Sequence, residues 1–157
     1  MHKIPKRKHW SYILILVICL LIITIVILLF KINIYSIDGD SMLPTFKNKE
    51  NYLIWKTKNV SVGDVIVFSK SDHVVIKKIV AGPHDVIEIS ENKILVNSID
   101  ISEYFIFDNL KQDHLQIKVP EDKYFVLGTN LPKSIDSRSF GFLTQQDIIG
   151  KIMFKVS

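Results

Sequence analysis

The sequence predicts a mainly β domain carried on one N-terminal membrane-spanning helix. Three observations lead there. Residues Trp10 to Phe30 form an unbroken uncharged apolar run. After residue 31 the chain breaks into short β-branched and aromatic runs separated by turn residues. No segment in that part keeps a 3.6-residue apolar period over three turns. A length of 157 residues leaves room for one domain beside the anchor. The expected division is a basic tail over 1–9, an anchor over 10–30 and a β domain over 31–157.

The anchor is the first element. The run WSYILILVICLLIITIVILLF has 21 residues, about 31 Å as a helix, which matches a hydrocarbon core of roughly 30 Å. Only Ser11, Cys19 and Thr24 interrupt it. A cleaved signal peptide has a shorter apolar region ending in small residues. This run ends Leu-Leu-Phe-Lys, and the single alanine of the chain is Ala81, so the segment reads as uncleaved. Lys3, Lys6, Arg7 and Lys8 precede it, and no acid occurs before Asp38. Positive flanks stay cytoplasmic, which places residues 31–157 on the extracytoplasmic side of a cell membrane, with the lipid bilayer as a partner.

The net charge of +4 arises wholly from that tail. Four of the 20 Lys and Arg lie before residue 10, and the other 16 balance the 16 Asp and Glu. A balanced folded part argues against a nucleic-acid-binding face. The lone Cys19 excludes an internal disulfide framework, and no Cys/His spacing fits a structural zinc site. No metal or organic cofactor is implied.

The β domain follows as strands expected at Tyr52–Trp55, Asp64–Phe68, Val74–Ala81, Val86–Ser90, Ile94–Asn97, Leu115–Val119, Tyr124–Leu127 and Ile148–Val156. Asn48, Gly63, Gly82-Pro83 and Asn92 supply the turns between the earlier ones. Val86–Ser90 and Ile94–Asn97 form a hairpin across Glu91-Asn-Lys93. Residues 98–113 are the least regular and are expected as a surface excursion.

Three segments carry chemistry. In Ser36-Ile-Asp-Gly-Asp-Ser-Met-Leu-Pro-Thr-Phe46, Gly39 allows a sharp turn and Pro44 restricts the far side. Such a loop exposes the Ser41 hydroxyl and aims a backbone N–H into the same space, as an acyl-transfer nucleophile requires. The plainer reading is a linker turn. In His73-Val-Val-Ile-Lys-Lys-Ile-Val-Ala81, lysines sit among branched apolar residues. An exposed lysine, with a pKa near 10.4, cannot accept a proton at neutral pH, but burial lowers that pKa by several units. Alternation groups Lys77 with Val75 and Ile79, and Lys78 with Ile76 and Val80, so periodicity does not choose between them. The plainer reading is an edge strand guarded by lysines. The third segment, Gly128 to Gly141, holds Ser134, Asp136 and Arg138. Asp136 and Arg138 can pair to brace a loop, and Ser134 can bond a nearby amine, although a polar surface loop has the same composition.

Together these segments resemble the type I signal peptidases, membrane-anchored serine proteases that use a Ser–Lys dyad. Asp40-Ser-Met-Leu-Pro-Thr45 resembles their nucleophile motif, and Gly63-Asp-Val-Ile-Val-Phe68 the strand after it. Val75-Ile-Lys-Lys-Ile-Val80 with Gly82-Pro83 and Asp85 resembles their lysine strand, and Ser134-Ile-Asp-Ser-Arg138 with Phe140-Gly141 their C-terminal motif. The likeness runs from the anchor to Gly150-Lys-Ile152, in matching order and spacing, and the single anchor resembles the short Gram-positive form. It implies a signal peptidase/LexA-like β fold and cleavage of signal peptides from exported preproteins. It assigns Ser41 as nucleophile, Lys77 as general base, Ser134 as the hydroxyl orienting the lysine, and Asp136 and Arg138 as a supporting pair.

The departures are specific. Gly39 stands where many Gram-negative relatives place a serine of the oxyanion hole, leaving the second donor open, with backbone a candidate. Lys78 replaces the usual Arg, and Gly128-Thr-Asn-Leu131 replaces Gly-Asp-Asn-Arg, removing one acid and one base. If those groups brace the site by ion pairs, this chain lacks that brace.

Three rivals are weighed. A Ser-His-Asp triad would enlist His73, His84 or His114, none of which sits in a triad motif. LexA-type autoproteases need a DNA-binding partner domain, for which the anchor leaves no place. Signal-peptidase-like proteins that act as non-catalytic chaperones in surface-pilus assembly have lost the dyad, whereas Ser41 and Lys77 are both present here.

Overall fold

The computed structural model describes residues 6–70, 73–108, 110 and 114–156, so residues 1–5 of the basic tail lie outside the described residues. The chain divides into two compact units, 1–32 and 33–157. The first is the helix α1 (Lys6–Phe30). Its Trp10–Phe30 part has a mean hydropathy of 3.7 and is long and apolar enough to cross a membrane, and its side chains are exposed all round. Thr24 returns its hydroxyl to Leu20 O at 2.8 Å, which satisfies the one threonine without water.

The second unit is antiparallel β. A seven-stranded sheet runs in the order β1 (Ile32–Ser36), β2 (Asn51–Trp55), β11 (Ile148–Lys155), β3 (Val65–Lys70), β4 (His73–Ala81), β9 (Lys123–Leu127) and β10 (Leu143–Thr144). A four-stranded sheet runs β7 (Ile99–Asp100), β6 (Lys93–Val96), β5 (Val86–Ser90) and β8 (Leu115–Lys118). Central β3 is apolar on both faces because both are covered. Ile66 and Phe68 pack with Ile79, Val126, Leu143 and Ile148, while Val67 packs with Ile37, Met42, Phe46, Tyr52 and Ile54. A third cluster joins Val80 and Phe125 of the large sheet to Ile87, Ile89 and Ile94 of the small one.

The eight strands expected from sequence are all present, with ends displaced by a residue or two. The hairpin loop is shorter than expected, because Lys93 pairs with Ser90 and leaves Glu91-Asn92 as the turn. Two strands of two residues each, β7 and β10, were not expected, since so short a run shows no periodicity. Strand β1 was also unexpected, a five-residue run that follows directly on the apolar helix after Lys31. The expectation of a surface excursion over 98–113 needs correction where residues are described. Phe105 is buried in the third cluster, and Ile106 bridges to Asn130. Residues 109 and 111–113 lie outside the described residues.

Candidate active site

The loop between β1 and β2 carries Ser41. Gly39 takes φ +99°, a conformation that favours glycine, and its N–H donates to Asn48 Oδ1 at 3.2 Å. The Gly39 N–H is therefore engaged within the loop. Leu43 N–H donates to Asp40 O at 3.2 Å and Phe46 N–H to Met42 O at 2.9 Å, coiling the chain around Ser41. Met42 and Phe46 anchor the coil in the core. The Leu43–Pro44 peptide is cis.

Strand β4 brings Lys77 to this loop. Lys77 is 3% exposed, and its Nζ donates to Ser41 Oγ at 2.6 Å. Burial pushes the amine from 10.5 down to about 8, with the Asp136 carboxylate opposing the shift and the Arg138 guanidinium adding to it. At pH 7 about one molecule in ten then carries a neutral amine, against roughly one in three thousand at the ordinary value. In the neutral state the same contact reverses, the Ser41 hydroxyl donating to the amine lone pair. Lys78 leaves the other side of the strand, its Nζ lying 4.5 Å from the Tyr104 ring centroid.

The third segment is braced by its own ion pair. Asp136 is fully buried and grips Arg138 through two oxygens, Nε to Oδ1 at 2.8 Å and Nη2 to Oδ2 at 3.0 Å. Its Oδ1 also caps the short helix α2 (Ser137–Phe140) by accepting the Arg138 N–H, and Gly128 N–H reaches Oδ2 at 3.2 Å. Arg138 Nη2 continues to the carbonyls of Leu131 at 2.7 Å and Ser134 at 3.2 Å. A guanidinium fork suits a carboxylate and two carbonyls at once. The Ser134 hydroxyl is buried and has no hydrogen-bond partner among the described residues, so it is not bonded to Lys77. It lies against Gly128, where an added Cβ would meet Ser134 Oγ and stand 2.5 Å from Ser41 O. Glycine at 128 is thus needed for close approach.

Sequence reasoning missed Thr129 and Asn130: Thr129 was seen only as the replacement of an acid, and Asn130 was given no role. Thr129 Oγ1 donates to Leu43 O at 2.9 Å, Asn130 Nδ2 to Asp40 O at 3.1 Å, and Asn130 N–H to Ser41 O at 3.0 Å. Three neutral hydrogen bonds fasten the end of β9 to the serine loop where an ion pair was missing. The available signal was the chemistry of Thr and Asn themselves, short polar side chains that readily bond backbone groups.

Two clefts meet at the pair. One, of about 240 Å³, is lined by Tyr35, Ile37, Met42, Val74 and Ile76. The other, of about 510 Å³, is lined by Lys70, His73, Lys133, Ile135 and Phe140. No histidine among the described residues is bonded to Ser41, so the geometry does not build a Ser-His-Asp triad.

A hydroxyl bonded to a buried, partly neutral amine can perform acyl transfer. A family model described as "Signal peptidase, peptidase S26" matches residues 8–157. The chain belongs to the signal peptidase family, peptidase S26. It is accordingly a serine peptidase, a hydrolase. Signal peptidase I S of Bacillus subtilis (strain 168) is 32% identical over 136 residues, covering 76% of this chain and 74% of its own. Signal peptidase IB of Staphylococcus aureus (strain N315) is 33% identical over 150 residues, covering 80% and 78%. The crystal structure of a signal peptidase I from Enterococcus faecalis V583 matches with TM-score 0.51 at 24% identity, over 60% of this chain and 97% of that one, a likeness of fold. The mainly β peptidase fold expected from sequence is therefore the one found.

Proposed function

We propose that this signal peptidase is a membrane-anchored signal peptidase I that cleaves signal peptides from exported preproteins, with Ser41 as nucleophile and Lys77 as general base. The observation that carries the residue assignment is the 2.6 Å contact between Ser41 Oγ and a Lys77 amine whose pKa burial lowers to about 8. Neutral Lys77 takes the Ser41 proton as Oγ attacks the scissile carbonyl, forming a C–O bond. The lysine ammonium then protonates the departing amine as the C–N bond breaks. Lys77, neutral again, takes a proton from water as the water oxygen bonds the acyl carbon, and returns it to Ser41 Oγ as the ester C–O bond breaks and the acid leaves. Asp136 and Arg138 act as the pair that holds the 128–141 loop, and Ser134 as a hydroxyl available to the amine. An extended substrate with small residues at −1 and −3 crosses the two clefts as an added strand.

The basic tail before Trp10 supports a cytoplasmic N-terminus and an extracytoplasmic catalytic domain. Ser41 lies ten residues past Lys31, a tether of at most about 35 Å, which keeps the chemistry within reach of a signal peptide still held in the bilayer. The test is incubation of the purified full chain in detergent with a labelled preprotein and mapping of the new N-terminus. Cleavage that disappears in Ser41→Ala and in Lys77→Ala supports the reading. Intact preprotein with the parent chain, or normal processing by Lys77→Ala, refutes it.

A further inference from the structure

Asp40 C=O and Ser41 N–H belong to one peptide plane, and that peptide is trans, the one cis bond among the described residues lying at Leu43–Pro44. In a trans peptide the C=O and N–H point in opposite directions. Asp40 O accepts from two donors, Leu43 N–H at 3.2 Å and Asn130 Nδ2 at 3.1 Å. With the carbonyl held from one side, the Ser41 N–H is directed to the other, where it meets no acceptor among the described residues. Asn130 also fixes the next peptide plane, its own N–H donating to Ser41 O at 3.0 Å. The residue is 7% exposed, and its amide orientation is forced, because its carbonyl oxygen facing Asp40 O would repel it.

We propose that Asn130 is a positioning residue for acyl transfer, its side-chain amide aiming the Ser41 N–H at the oxyanion that forms on the scissile carbonyl. The proposal rests on the reading of Ser41 as nucleophile. A fixed donor pointed at developing charge does more for the transition state than for the ground state, so its loss appears in kcat and not in KM. Thr129 provides an internal contrast. It bonds Leu43 O, but the next residue is Pro44, so that peptide carries no N–H. Thr129 holds the loop and aims nothing.

The experiment uses the full chain in detergent micelles and a defined preprotein substrate. Asn130→Asp, which keeps the shape and removes the donor, and Asn130→Ala are compared with Thr129→Val. Both Asn130 variants are expected to lose at least about tenfold in kcat with KM changed by less than about threefold. The acid limb of the pH profile stays in place in Asn130→Ala, which adds no charge near Lys77. Thr129→Val is expected to lower thermal stability comparably while losing less than about threefold in kcat. Asn130 variants within that threefold of the parent, or a loss of equal size in Thr129→Val, overturn the proposal. Should the Asn130 variants fail to fold, the parent chain still decides. Its Asn130 side-chain amide protons are expected to exchange at least about tenfold more slowly than those of exposed Asn92, and equal exchange overturns the proposal. Absence of cleavage by the parent, or undiminished cleavage by Ser41→Ala, refutes instead the reading on which the proposal rests.

Discussion

Lys77 is the group whose charge state the pH controls, and its burial has two measurable consequences. In the unfolded chain the amine stays protonated up to about 10.5, and in the folded domain up to about 8. Between those values the unfolded state holds the extra proton, so stability rises as the pH climbs through that window. Below about 8 both states are protonated, and the folded domain carries the full penalty of a buried cation. The difference of about 2.5 units corresponds to roughly 3 kcal/mol. Lys77→Met is therefore expected to abolish cleavage and yet stabilise the domain at pH 7 by about 1–3 kcal/mol, after allowing about 1 kcal/mol for the lost bond to Ser41. The gain should fade as the pH approaches 10.5. The parent chain should show kcat/KM rising with unit slope to a plateau, with a midpoint near 8 and about one-tenth of the plateau at pH 7. Initial rates on a labelled preprotein from pH 6 to 10 and urea unfolding of both chains measure these quantities. A flat profile, a midpoint near 10.5, or a Lys77→Met domain less stable than the parent at pH 7 refutes the reasoning.

Ser41→Ala should end cleavage and lower stability by only about 1 kcal/mol, through the lost bond to Lys77, which a melting curve beside the preprotein assay checks. Asp136→Asn leaves the Arg138 guanidinium buried without its carboxylate and should destabilise the domain by about 3–5 kcal/mol in urea unfolding, with much of that recovered when Arg138→Met is added. Gly128→Ala drives a methyl group against Ser41 O and Ser134 Oγ, so a preprotein assay should show activity falling while a circular dichroism spectrum keeps its β signature. Glu50 is held down to about 2 by donors on Lys155 and Tyr52. Its stabilising effect is present above about 4.5 and disappears as the pH falls toward 2, so Glu50→Gln should make stability less pH-dependent across that range in acid titrations.

Much of this was legible in the sequence because each element there agrees with its surroundings. The anchor is an uninterrupted apolar run of membrane length, and β3 reads as a strand because Val65-Ile-Val-Phe68 is apolar on both faces and covered on both. The Asp136–Arg138 brace was legible because an acid and a base two residues apart in a serine-rich loop have few other partners. The clamp formed by Thr129 and Asn130 was not. Its acceptors are backbone carbonyls some 90 residues earlier in the chain, and carbonyls leave no mark on a sequence. Nor was the burial of Phe105, because the short apolar run Tyr104-Phe-Ile-Phe107 in an irregular stretch shows no period that marks one face as buried.

The choice between the two lysines shows where tertiary structure supplies what pattern lacks. Consecutive residues of a strand project to opposite faces, so Lys77 and Lys78 cannot both reach Ser41, and a slip of one residue would exchange them. The ladder sets Ile66 opposite Lys77 and Val65 opposite Lys78, and continues without a break to Lys70 opposite His73. A one-residue slip would put Lys78 in place of Lys77 on the face of Ile66 and Phe68, and would turn Ile79, which has no exposed surface, away from the cluster it fills with them. The side chains that pin the register are thus ordinary core residues. Which amine meets the hydroxyl, and hence whether a proton acceptor exists near neutral pH, is decided by how β3 and β4 pack.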